Sequence, residues 1–478
     1  MNTEQKTSSL DRFLNIFTQV NAGEGGQALL LALNIFLIMT SYYIMKPVRE
    51  ALILAGGGAV IKSYASAGQV TILLFAVPLY GMIANKFPRR KLINFVTFFF
   101  IACLIVFYIL ALVRVPIGVI FFLWIGIFNL MIPAQFWAFA NDLYIPENGK
   151  RIFVIIAFGA SLGAVLGGVI AEPLIEPLGV YQLLLIAGAI LVVSLLLTNY
   201  IDAKSRNLSS IRAKSPGQEV TEQGFKSKGS FKLVFKTRYL LLIALQIMFI
   251  NWINTNGEFI LGLNVEKTAE KQALQESQAM MLEIEDSSEK TLGADSNSLD
   301  ETGEVKREEF IQDYKQKYIG KFYARFFTYV NLASLLLQLF IVSRIIKFLG
   351  IRVALLILPL IAFGGYFIMA FIPILAIIRP IKIAENSTDY SLQNTVRQIL
   401  FLPTTRDEKY KAKQAIDTFF WRAGDLLSTA VVIIGSSIAF HTKHFALINV
   451  ALVLVWFVIA YYIGKENRKL VVERQVKE

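Results

Sequence analysis

The chain has 478 residues, 55% of them hydrophobic, with a mean hydropathy of +0.56, which excludes a soluble globular fold. Its net charge of +12 would suggest nucleic acid in a soluble chain; here the basic residues gather in loops and at helix ends, as in cytoplasmic loops of membrane proteins, so no nucleic-acid partner is expected. One cysteine, Cys103, and two histidines, His441 and His444, exclude an intrachain disulfide and argue against a Cys/His metal site, and no cofactor is expected.

Residues 1–24 are polar, lack an apolar leader and form a cytoplasmic N-terminal segment, where Leu10, Phe13, Leu14 and Phe17 share one helical face and predict a short interfacial helix. About twelve apolar spans follow, at 27–53, 63–84, 92–113, 117–140, 151–171, 180–200, 239–262, 321–343, 352–372, 374–395, 414–440 and 444–464. None alternates with period two, so helices are predicted rather than a barrel. The expected fold is an all-α membrane protein of about twelve transmembrane helices in two six-helix repeats. Residues 25–200 form the first repeat and 239–464 the second; 465–478 is a cytoplasmic tail. The linker at 201–238 carries nine Lys/Arg against three Asp/Glu. With Lys86-Phe87-Pro88-Arg89-Arg90-Lys91 and Lys409, Lys411 and Lys413, it places both termini in the cytoplasm of a multi-pass inner-membrane protein. Residues 264–320, with fourteen acidic and seven basic residues, are expected as an external acidic loop, charged and helical over 270–286, disordered over 286–304, and a surface for a partner. The halves are related: Asn85 and Lys347 follow corresponding spans about 262 residues apart, Ile38-Met39 and Ile247-Met248 about 209 apart, and the difference is nearly the length of that insert.

Ionisable residues inside the apolar spans mark candidate sites, because charge in a bilayer is costly and usually lines a pathway. Lys46, Arg49 and Glu50 share a face of the first span beside Pro47, which should let the helix bend. They point to an anionic substrate, with Tyr42, Tyr43 and Trp252 as aromatic contacts. The seventh span carries Asn251, Asn254, Thr255, Asn256 and Glu258, and the repeat register sets Glu258 opposite Arg49. The tenth carries Arg379 and, on one face, Lys382, Glu385 and Asp389; the eleventh carries Asp417, Arg422 and Asp425. Asn141, Asp142, Lys150 and Arg151 flank the link between spans four and five and are candidate gating residues. Gly159-Ala160-Ser161-Leu162-Gly163 matches a nucleophile elbow, yet it lies within a span, where Gly159, Gly163 and Gly167 instead form a close-packing face. No phosphate-binding GxxxxGK[ST] loop is present, so ATP hydrolysis is not supported, and with no catalytic constellation in the sequence an enzyme is not expected.

Gly81-Met82-Ile83-Ala84-Asn85-Lys86-Phe87-Pro88-Arg89-Arg90 resembles the major facilitator signature that follows helix 2, with Asn85 in place of its aspartate and Pro88 in place of its glycine. Phe136-Trp137-Ala138-Phe139-Ala140-Asn141, Gly149-Lys150-Arg151-Ile152-Phe153 and Phe158-Gly159-Ala160-Ser161-Leu162-Gly163 resemble the ATP/ADP translocases of plastids and obligate intracellular bacteria. Lys46-Pro47-Val48-Arg49-Glu50 is similar to that family's helix 1 motif, Asn254-Thr255-Asn256-Gly257-Glu258 to its helix 7 motif, and Leu402-Pro403-Thr404-Thr405 onward to its approach to helix 11. Trp124-Ile125-Gly126 stands where the family tends to have an acidic residue, and Asp425 follows Arg422 where it tends to have a lysine. The resemblance implies a facilitator-like secondary transporter of nucleotides, of the ATP:ADP antiport type, that binds ATP at a site between its repeats and works by alternating access. Lys46 and Arg49 would take the phosphates, and Glu258 and Asp425 would balance charge. Two other readings stand beside it: a proton-coupled carrier of another organic or phosphorylated anion, with Glu258 or Asp389 protonating, and a non-transporting membrane protein that binds a partner through residues 264–320.

Overall fold

The computed structural model describes residues 24–84, 87–144, 146–211, 230–289, 299–405, 408 and 412–475. The interfacial helix expected near the N-terminus, the middle of the basic linker, Asn85, Lys86, Lys409 and Lys411 lie outside the described residues. All regular structure among the described residues is helical. Among the described residues ten helices are long and apolar enough to cross a membrane.

The first five helices are α1 (Gly25–Ala84), α2 (Arg89–Leu112), α3 (Gly118–Leu143), α4 (Pro146–Leu178) and α5 (Gln182–Ile211). A short α6 (Ser230–Lys236) precedes α7 (Arg238–Glu289) and α8 (Leu299–Leu337), which a π turn at Gln338–Val342 joins to α9 (Ser343–Phe348). Then come α10 (Gly350–Phe371) and α11 (Leu375–Thr388), which continues through a π turn at Asp389–Gln393 into α12 (Asn394–Leu400). The short α13 (Lys413–Ala415) and a π turn at Ile416–Phe420 lead into α14 (Trp421–Ser437), and α15 (Thr442–Gln475) ends the fold.

The expected spans map onto these helices. The 60-residue α1 contains two of them, merged across Gly58, where φ of 76° and ψ of 174° leave the helical region. Helix α1 runs on through Pro47, and its non-helical position is Gly58. Glycine tolerates that dihedral at no steric cost. The tenth expected span is α11–α12, too charged to register by hydropathy alone.

Residues 264–320 are not a loop. Helix α7 runs on to Glu289 and α8 begins at Leu299, with residues 290–298 outside the description. Helix propensity explains this: the segment is rich in Ala, Glu, Lys and Gln. Val265, Ala269, Ala273 and Ser277 repeat every four residues and are fully buried, so the extension carries its own packing face.

The helices divide into two compact units, residues 1–52, 72–224 and 320–328 in one and 53–71, 225–319 and 329–478 in the other. In the first, aromatic side chains fill the space between α2 and α3. Trp124 stacks on Phe121 and Phe128 with centroids 5.6 and 5.8 Å apart and meets Phe100 and Phe107 at 5.4 and 5.3 Å. The position where an acidic residue was expected from the family resemblance is therefore core. Gly159, Gly163 and Gly167 bring α4 onto α1: a Cβ on Gly159 would sit 2.5 Å from the carbonyl oxygen of Ala32, and those on Gly163 and Gly167 would strike the carbonyls of Phe36 and Thr40. The Gly-x-Ser-x-Gly stretch is thus a helix contact. In the second unit α10 packs on α15 and both α14 and α15 pack on α7. Exposed apolar side chains such as Phe75, Phe95, Phe98 and Phe371 lie outside, as expected of surfaces that face lipid rather than water.

Candidate functional site

In the first unit the ionisable residues of α1 converge among aromatic rings. The Lys46 ammonium lies 4.0 Å from the centroid of Phe327 and 5.1 Å from that of Tyr43. The Arg49 guanidinium donates from Nε to Glu50 Oε1 at 3.0 Å and lies 4.9 Å from the ring centroid of Phe122. Glu50 and Lys46 are buried, with 1% and 9% of their surfaces exposed. Tyr42 and Tyr43 are buried beside them, and Tyr42 stacks on Phe128 at 6.2 Å. Aromatic faces stabilise desolvated cations, so the arrangement holds positive charge within an apolar helix.

At the other end of this unit Arg89 bridges Asp142 Oδ2 at 2.8 Å and Asp202 Oδ1 at 3.1 Å, tying α2 to α3 and α5. Of the candidate gating residues, Asp142 thus has a partner and Asn141 is exposed; the side chains of Lys150 and Arg151 lie outside the described residues.

The second unit holds a larger polar network. Gly424 allows α14 to approach α7 so closely that a Cβ there would lie 2.7 Å from the Met248 carbonyl oxygen. This contact brings Asp425 to Asn251 and Thr255, which donate to its Oδ1 at 2.7 and 3.0 Å, while Arg422 Nη1 lies 3.3 Å from Oδ2. Asn256 is wholly buried, donating to Asn449 Oδ1 at 2.9 Å and accepting from Ser428 at 2.6 Å. It clamps α7 to α14 and α15, so a direct substrate contact, expected from its polarity, does not fit its surroundings.

Lys382 is the hub of the remaining residues. It is fully buried, donates to Asn254 Oδ1 and Glu385 Oε2, each at 2.8 Å, and lies 3.7 Å from Glu258 Oε1. The Tyr366 hydroxyl lies 2.9 and 2.8 Å from the two Glu385 oxygens, and Asn386 donates to Glu258 Oε1 at 2.9 Å. Glu258 therefore takes these partners from its own unit. Tyr366, Asn386, Asn449 and Ser428 were not candidates from sequence: a single Tyr, Ser or Asn in an apolar helix is ordinary, and their partners are up to 196 residues away. Among the described residues no group of three or more His, Cys, Asp or Glu could hold a metal ion.

A model of the Major Facilitator Superfamily matches residues 28–273, and one of the TLC ATP/ADP transporter matches residues 366–467. ADP,ATP carrier protein 1 of Chlamydia pneumoniae is 21% identical over an alignment of 389 positions that covers 73% of this chain and 66% of that protein, just under two thirds of the relative. Among solved structures, a bacterial homologue of the iron transporter ferroportin is similar with a TM-score of 0.60 at 13% identity, covering 92% of this chain and 98% of that one. The nucleoside transporter NupG is similar with a TM-score of 0.57 at 12% identity, covering 92% and 99%. These likenesses show the fold. With the superfamily model spanning more than half of its length, the chain belongs to the major facilitator superfamily, and its residues 366–467 are similar to the TLC ATP/ADP transporter model.

Proposed function

We propose that the chain is a secondary transporter that exchanges nucleotides, ATP for ADP in type, by alternating access. The observation that carries this reading is the match of residues 366–467 to the TLC ATP/ADP transporter model, a stretch that contains Lys382. Lys382 is a fully buried cation held by Asn254 and Glu385 at 2.8 Å. A multiply charged anion crossing a medium of low dielectric needs compensating cations, and a membrane protein retains such buried charge for function. Lys46 and Arg49 take the phosphates. Glu50, Glu258 and Asp425 balance the cations while no substrate is bound, and a site so charged resists reorienting empty, which makes the carrier an exchanger. The basic loops support an inner-membrane location with both termini in the cytoplasm; protease digestion of a C-terminal tag in inverted vesicles, but not in intact cells, tests this.

The test of transport is uptake of labelled ATP into proteoliposomes, with and without ADP inside, for wild type and Arg49→Ala. Uptake that needs internal ADP and is lost in the variant is the expected result. Absence of uptake of any nucleotide by folded protein refutes the reading. A proton-coupled carrier of another phosphorylated anion is the second reading, favoured by the burial of Glu385, which is 4% exposed. It requires uptake driven by an imposed pH gradient without internal nucleotide.

A further inference from the structure

The second unit contains a cavity of about 260 Å³, lined by Asp389, Tyr390, Gln393, Asn394, Arg397 and Trp421 and by two isoleucines of α7. Pockets that enclose a drug-sized ligand hold roughly 300–1,000 Å³, so this one admits a ring system with its sugar rather than a whole triphosphate. Both helices that supply its polar residues are locally widened, by the π turns at Asp389–Gln393 and Ile416–Phe420. Such insertions are frequent at functional sites because they re-aim side chains without ending the helix.

The wall is planar on one side and polar on another. The Arg397 guanidinium lies over the Trp421 ring, 5.1 Å from its centroid, and donates to Asn394 Oδ1 at 2.9 Å. Two buried polar atoms on these side chains have no hydrogen-bond partner among the described residues: the Nε of Arg397, a donor, and the Oε1 of Gln393, an acceptor on a side chain only 3% exposed. Buried groups of this kind are ordinarily satisfied, so their presence beside a cavity calls for a ligand with the complementary pattern. That ligand is flat, accepts from a guanidinium and donates to an amide oxygen and a carboxylate.

We propose that this cavity is the nucleobase subsite of the transporter. It takes bases with an exocyclic amine, adenine, guanine or cytosine, in preference to uracil. The amine donates to Asp389 and Gln393, ring acceptors meet Arg397, and Trp421 with Tyr390 supplies the aromatic surface. Uracil has a carbonyl where cytosine has its amine, and so sets an acceptor against the carboxylate. A site built to hydrogen-bond an amine discriminates strongly against an analogue that lacks it. The proposal rests on the nucleotide-transport reading, and it leaves the phosphates outside this cavity.

The test is uptake of labelled ATP and UTP by proteoliposomes carrying the full chain as wild type, Asp389→Asn, Trp421→Phe or Trp421→Ala. Wild type should show a KM for UTP at least about tenfold above that for ATP, and Asp389→Asn should narrow this to under about threefold. Trp421→Ala should raise the KM for ATP by about tenfold or more and Trp421→Phe by much less. The purified proteins give a second measurement, the rise in melting temperature with adenosine or with inorganic pyrophosphate. Trp421→Ala should lose the adenosine shift and keep the pyrophosphate shift, which also shows that the variant is folded. An unchanged ATP-to-UTP ratio in Asp389→Asn, or a Trp421→Ala protein that keeps the adenosine shift or loses both, overturns the proposal. A wild type that takes up no nucleotide refutes the transport reading instead, and the adenosine shifts still decide the cavity.

Discussion

Replacing Lys382 with methionine probes the network most directly. Lys382 is fully buried, and its ammonium serves Glu385 and Asn254 at 2.8 Å and Glu258 at 3.7 Å. Methionine fills most of the volume and removes the charge, leaving a carboxylate that is 4% exposed without its cation. Breaking a buried pair from one side costs about 3–5 kcal/mol, whereas replacing both members by neutral groups is often close to neutral. With an unfolding entropy of about 2.1 cal/mol/K per residue, Lys382→Met should therefore lower the melting temperature of the purified protein by roughly 3–5 °C. Glu385→Gln alone should also destabilise, since it leaves the lysine uncompensated. The double variant should recover a large part of the loss, with a coupling of about 1–3 kcal/mol in the thermodynamic cycle. Scanning calorimetry or intrinsic fluorescence in detergent measures all four proteins. Additive single effects, with no recovery in the double variant, would refute the claim that these two charges stabilise one another.

Three further outcomes follow from geometry. Gly163→Ala should destabilise by about 1–3 kcal/mol, because its Cβ strikes the Phe36 carbonyl. Gly188→Ala, whose Cβ would meet only Leu104 Cδ1 at 3.7 Å, should be tolerated; size-exclusion profiles and melting temperatures compare the two. Gly58→Ala should cost about 1–3 kcal/mol, because φ of 76° with ψ of 174° is a region open essentially to glycine alone. It should also displace Glu266, whose Oε2 accepts the Ala59 N–H at 2.8 Å, so that Glu266→Gln added to Gly58→Ala costs little more. Asp142→Asn should change stability by less than about 1 kcal/mol, because the Asp142 side chain is 55% exposed and solvent screens its pair with Arg89.

The membrane class, the number of spans and the charged stretch on α1 were legible because each rests on composition over a long window or on charge inside an apolar run. Lys46, Arg49 and Glu50 stand out for that reason. The glycine face of α4 was legible too, since Gly159, Gly163 and Gly167 repeat at one helical turn. The Lys382 network was only half visible. Lys382 and Glu385 are one turn apart, but Tyr366 reaches Glu385 from another helix, and nothing in an apolar stretch announces which tyrosine turns inward. The cavity beside Trp421 depends on two π turns, each of which shifts the helical phase by part of a turn and so defeats any reading at fixed periodicity. Residues 264–320 misled for a different reason. The charged helix expected over 270–286 is present, but high charge suggested a loop around it and disorder over 286–304, where α7 runs on to Glu289 and α8 starts at Leu299; the small residues from Val265 to Ser277 give α7 a buried face with little hydrophobicity.

The length of α7 gives the protein a lever. Its 52 residues measure about 78 Å at 1.5 Å per residue. The bilayer with its headgroups takes up about 40–45 Å of that, leaving roughly 35 Å of rigid rod beyond it. A tilt of about 10° in the buried part then swings the far end by about 6 Å, several times the displacement near Asn254, which lies close to the start of the rod. A spin label or fluorophore at Leu282, which is 66% exposed, would turn a sub-ångström rearrangement around Lys382 into a distance change that spectroscopy resolves in a working carrier.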